Sequence, residues 1–108
     1  GQSEADGANS NLVERYDPAT KSWEEAAPMV TPRETHAVAV LDGNLYAVGG
    51  LGDGALSSVE RYDPAANAWE AVAPMAEVRF YHAVAVLDGK LYAVGGYDGD
   101  HLSSVERY

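Results

Sequence analysis

The chain contains no cysteine, so no disulfide can staple it and no thiolate can serve as nucleophile or metal ligand. Basic residues are scarce: seven Lys and Arg stand against 17 Asp and Glu, for a net charge of −10. The acids are spread along the chain rather than gathered in a tail. Binding to a phosphate backbone or anionic lipid relies on clustered Lys and Arg, so nucleic acid and membrane are not expected as partners. No apolar run approaches the roughly 20 residues of a membrane-spanning helix. The start Gly1-Gln2-Ser3-Glu4 lacks the basic-then-apolar layout of a secretory leader, and no Asn-X-Ser/Thr acceptor occurs. No segment sustains a 3.6-residue apolar period, which leaves strands rather than helices as the expected elements.

What is present is repetition. Val13-Glu14-Arg15-Tyr16 returns as Val59-Glu60-Arg61-Tyr62 and again as Val105-Glu106-Arg107-Tyr108, at spacings 59 − 13 = 46 and 105 − 59 = 46. Residues 13–58 and 59–104 agree at 30 of 46 positions, without insertion or deletion. A fixed period of this size marks a repeat architecture, in which one unit cannot cover its own apolar faces and needs neighbours.

Each repeat reads as four strands. His36-Ala37-Val38-Ala39-Val40-Leu41 runs into Asp42-Gly43 and then Asn44-Leu45-Tyr46-Ala47-Val48. Two apolar runs joined by Asp-Gly predict a hairpin with a type I′ turn, which needs positive φ at both central residues. The second copy is His82 to Leu87, Asp88-Gly89 and Lys90 to Val94. These runs are apolar on both faces, which predicts that both are covered. Gly49-Gly50 and Gly95-Gly96 follow, where a positive φ or the close approach of another backbone is expected. No phosphate-loop pattern accompanies them. Ser58-Val59-Glu60-Arg61-Tyr62 alternates as a third strand, Asp63-Pro64 turns the chain, and Trp69-Glu70-Ala71-Val72 forms a fourth, Pro-bounded edge strand.

Gly49-Gly50, Tyr62 and Trp69 at these spacings, with Gly95-Gly96 and Tyr108 in the next copy and Tyr16 and Trp23 before, resemble the Kelch repeat, a blade of a β-propeller. The chain is most similar to the Kelch domains of BTB-Kelch substrate adaptors for ubiquitin ligases. The implied fold is all-β, with four-stranded antiparallel Kelch blades and about two and a quarter blades over residues 1–108. Residues 1–11 fall in a loop of an incomplete blade, 12–58 form a first repeat, 59–104 a second, and 105–108 begin a third. Closed propellers need roughly 4–8 blades, so the resemblance implies a homo-oligomer or a slice of a larger ring, natural or engineered. It further implies strands 36–41 and 82–87 at the axis, strands 21–26 and 68–72 at the rim, and a cytoplasmic, non-enzymatic module that binds a protein or peptide without a cofactor. A designed, purely structural unit and a Kelch-type enzyme are the alternatives.

The positions where the copies differ point to the site. They lie mostly in connections, including 30–32, 34–35 and 51–55 and their counterparts, and connections held by a rigid scaffold are where binding residues concentrate. Glu34-Thr35 stands opposite Phe80-Tyr81, and Leu51 to Ala55 opposite Tyr97 to His101. By resemblance Arg33 and Arg79, four residues after Met29 and Met75, contact acidic groups of a peptide, and Leu51 and Tyr97 after the paired glycines add contacts. The candidate partner-binding set is therefore Arg33, Glu34, Thr35, Leu51, Arg79, Phe80, Tyr81, Tyr97, Asp98 and His101. The expected ligand is a peptide with one acid to meet an arginine and one or two apolar anchors for the aromatics. His36 and His82 recur in both copies, as scaffold residues do. Asp98, Asp100 and His101 lack the spaced ligands of a calcium loop, and no metal is expected.

Overall fold

Asp42 and Gly43 have φ of 52° and 78°, and Asp88 and Gly89 have 52° and 74°. That is the left-handed geometry a type I′ turn demands. The computed structural model describes residues 11–108, and every regular element among them is a strand. In chain order these are β1 (Val13–Asp17), β2 (Ser22–Ala26), β3 (Ala37–Leu41), β4 (Asn44–Val48), the two-residue β5 (Leu51–Gly52) and β6 (Gly54–Ala55), β7 (Val59–Asp63), β8 (Ala68–Val72), β9 (Ala83–Leu87), β10 (Lys90–Val94) and β11 (Val105–Arg107). Among the described residues no helix is long and apolar enough to cross a membrane.

The sheets are antiparallel and share one pattern. β3-β4-β7-β8 is a complete four-stranded blade; β9-β10-β11 repeats its first three strands, and β1-β2 its last two. β3 and β9, the first strands of successive sheets, approach each other, which places them at the inner edge and β8 at the outer. Asp17 and Asp63 each accept, through Oδ1, the N–H two residues on (2.9 Å in both), closing the Asp-Pro turns.

The core lies between blades. Leu41, Tyr46, Val48 and Val59 of the four-stranded sheet pack with Leu91 and Ala93 of the next, and Met75 and Val84 complete the cluster. The opposite face of β3 differs from expectation: Val38 and Val40 are 52% and 63% exposed. Tyr62 sits directly across from Trp69, with ring centroids 5.2 Å apart. The Trp69 indole N–H crosses to the Ala27 carbonyl (2.8 Å), tying the β8 rim to the preceding hairpin. Trp23, in the equivalent position, is 66% exposed. Trp69→Ala is expected to cost about 3 kcal/mol in a urea melt, and Trp23→Ala less than about 1 kcal/mol. Equal costs would place the stabilisation in the Tyr–Trp pair rather than in the seam between blades.

Candidate functional site

Because strands alternate in direction, the segments 27–36, 49–58, 73–82 and 95–104 emerge at one end of the blades, and the Asp-Gly and Asp-Pro turns at the other. All ten candidate residues lie at the first end.

The two arginines do not reach solvent there. Arg33 and Arg79 are 0% exposed, which corrects the expectation that they meet an acidic ligand. Arg33 donates from Nη1 to the carbonyls of Gly49 (2.8 Å) and Ser58 (3.1 Å), and from Nη2 to Ser58 Oγ (3.1 Å) and Glu60 Oε2 (2.8 Å). Glu60 in turn accepts from the backbone N–H groups of Val30 (2.6 Å) and Thr31 (3.0 Å). Arg79 repeats the arrangement with Gly95, Ser104 and Glu106, which accepts from Ala76 and Glu77. Burial alone would raise the Glu106 pKa, but the Ala76 N–H, Arg79 and the Glu77 N–H outweigh it and hold the carboxyl below its usual range. Each arginine thus clamps the connection between blades to the connection between second and third strands. Glu60 and Glu106 are the partners that sequence reading missed, although 60 − 33 and 106 − 79 both equal 27.

The clamps position what remains. Glu34 and Leu51 exchange backbone hydrogen bonds (2.8 Å each), and Phe80 and Tyr97 do the same (3.0 and 2.9 Å). Between blades, the Tyr81 N–H donates to the Thr35 carbonyl (3.0 Å), and the Gly50 N–H to the Arg79 carbonyl (2.8 Å). Thr35 and Tyr81 both hold left-handed φ, 50° and 53°, a conformation that a β-branched or bulky residue adopts only when its surroundings enforce it. The structure therefore brings Glu34, Thr35, Phe80, Tyr81, Tyr97 and His101 onto one ledge. Ring centroids run Tyr81–Phe80 5.5 Å, Phe80–Tyr97 5.4 Å and Tyr97–His101 5.2 Å. Tyr81 is 72% exposed. Asp98 lies beyond Tyr97, its Oδ1 accepting from the Asp100 N–H (3.0 Å). Tyr81, Gly96, Tyr97 and His101 line an open depression of about 430 Å³.

His36 and His82 open the inner strands behind this ledge. Burial, reinforced by the neighbouring arginines, pushes the His36 pKa down to about 4 and lowers that of His82. Both are therefore neutral at pH 7. Among the described residues no three His, Asp or Glu side chains converge as a metal site.

The Kelch motif model matches residues 1–30, 32–76 and 79–108. The chain belongs to the Kelch-repeat family. Within it, this Kelch chain is 46% identical over 41 residues to Kelch-like ECH-associated protein 1A of Danio rerio, covering 38% of the chain and 7% of that protein. It is 51% identical over 41 residues to Kelch-like protein 4 of Homo sapiens (38% and 6%). To the influenza virus NS1A-binding protein homolog of Mus musculus it is 58% identical over 38 residues (35% and 6%). Among solved structures, YjhT superposes with a TM-score of 0.79 and 27% identity, over 91% of this chain and 30% of that one. The fold is thus that of Kelch propeller blades, and these matches span less than a tenth of the curated relatives' length.

Proposed function

We propose that this chain is a protein-recognition module that receives a peptide or protein segment on the ledge formed by Thr35, Phe80, Tyr81 and Tyr97. One observation carries the reading. The two repeats share their arginine-clamp residues and differ within their five-residue strands only at 22, 25, 26 and 44 and their counterparts, yet on equivalent clamped backbone one repeat displays Glu34-Thr35 and the other Phe80-Tyr81. An exposed Tyr81 backed by the half-buried rings of Phe80 and Tyr97 has the composition of a binding hot spot. Peptides selected from a displayed random library on the wild-type chain are expected to lose at least about tenfold in affinity on Tyr81→Ser/Tyr97→Ser, consistent with hot-spot truncation costs. The thermal midpoint should stay within several degrees, because Tyr81 is exposed and Tyr97, though half-buried against Phe80 and His101, lies outside the core between blades. Retained affinity would move the site away from the ledge.

The likeness to BTB-Kelch adaptors supports a finer reading, in which the bound segment belongs to a protein marked for ubiquitin transfer. A second reading concerns assembly. Val38, Val40, Leu87, Val94 and Val105 are exposed along the blades, and repeat proteins cover such faces with further repeats. The 108-residue chain, expressed alone, is expected to sediment above its 11.5 kDa monomer mass; a folded, concentration-independent monomer would contradict this.

A further inference from the structure

The charges around the ledge are of one sign. All seven Lys and Arg lie among the described residues. Arg33 and Arg79 are buried against Glu60 and Glu106. Arg15, Arg61 and Arg107 lie on β1, β7 and β11, the first two paired with Glu24 and Glu70. Lys21 and Lys90 belong to turns or strand starts at the far end of the blades. The loop end therefore offers no exposed lysine or arginine, while Asp53, Asp98 and Asp100 are exposed and Glu34 half-buried there. Asp98 directly follows Tyr97, and Glu34 precedes Thr35, whose carbonyl accepts from Tyr81. Aromatic faces attract cations through their quadrupole, and more strongly where carboxylates stand near.

On the reading that the ledge is a docking surface, we infer that its occupant is a lysine- or arginine-bearing segment of a partner protein. The aliphatic stem of such a side chain lies along Phe80, Tyr81 and Tyr97, and its charged head faces the carboxylates of the loop end. The expected ligand sign is thus reversed. With both arginines neutralised inside the clamps, an acidic peptide would meet carboxylates without an exposed guanidinium to offset them, and the net charge of −10 would slow its approach.

The test uses short synthetic peptides in three matched series, identical except that chosen positions carry Arg, Gln or Glu. They are titrated against the full chain, Tyr81→Ser/Tyr97→Ser and Asp98→Asn/Asp100→Asn. The Arg series is expected to bind at least about tenfold more tightly than the Gln series. That advantage should shrink as salt rises from about 0.05 M to 0.5 M, shrink in the aspartate variant, and vanish in the tyrosine variant. Preferred binding of Gln or Glu peptides that still depends on Tyr81 and Tyr97 would overturn the inference while leaving the ledge as the docking surface. Binding that ignores both tyrosines would overturn the ledge as well. Failure of all three series to bind would overturn the inference.

Discussion

Arg33→Ala is expected to destabilise the folded chain by about 3–5 kcal/mol, the usual cost of removing one member of a buried ion pair. Arg33 is fully buried and the Glu60 side chain is 3% exposed, so the substitution leaves a nearly buried carboxylate that keeps the Val30 and Thr31 N–H groups but loses its cation. It also removes the guanidinium donor from the Gly49 carbonyl and from the Ser58 carbonyl, the latter keeping the Gly49 N–H (3.0 Å). Arg79→Ala should cost less, because its partner Glu106 is 22% exposed and water can compensate part of the lost charge. A urea titration of both variants measures the difference. A loss below about 1 kcal/mol for Arg33→Ala would mean that the pair is solvated and exchangeable.

Gly50→Val is the second large effect, at about 4 kcal/mol or more, combining backbone strain with overpacking. Gly50 holds φ at +98°, and an added Cβ would lie 2.5 Å from the Glu34 carbonyl oxygen and 2.7 Å from His36 Cβ. The obstacle is backbone as well as side chain, so no rotamer change relieves it. Gly43 provides the control: its φ is +78°, but nothing lies within 4 Å of an added Cβ. Gly43→Ala should therefore cost only the left-handed conformation, about 1 kcal/mol. Equal losses at the two positions, in the same urea titration, would show that φ alone and not the close approach of the chain governs the paired glycines.

Much of the scaffold was legible because its signals are local. Asp42-Gly43 dictates its own turn, Asp63 and Asp17 bond their own backbones, and the 46-residue period announces repeated sheets. The arginines were misread because their partners are distant: Glu60 lies 27 residues from Arg33, and only the folded sheet brings them together. A signal was nevertheless available. Arg33 and Arg79 are identical between copies, as are Glu60 and Glu106, and identity between copies marks scaffold, whereas Phe80 and Tyr81 differ from their counterparts. The open face of Val38 and Val40 could not be read from composition, since alternation says which residues share a face but not what covers it.

The division between an invariant scaffold and a variable ledge is tested most directly by writing one repeat's ledge onto the other. Phe80→Glu/Tyr81→Thr converts the second repeat to the residues that the first already carries on equivalent backbone. The account predicts a thermal midpoint within several degrees of wild type, since Tyr81 is exposed and the half-buried Phe80 lies outside the core between blades, together with loss of binding to the arginine-bearing peptides. A variant that unfolds would place these residues in the scaffold, and one that binds those peptides with unchanged affinity would contradict the ledge as the recognition site.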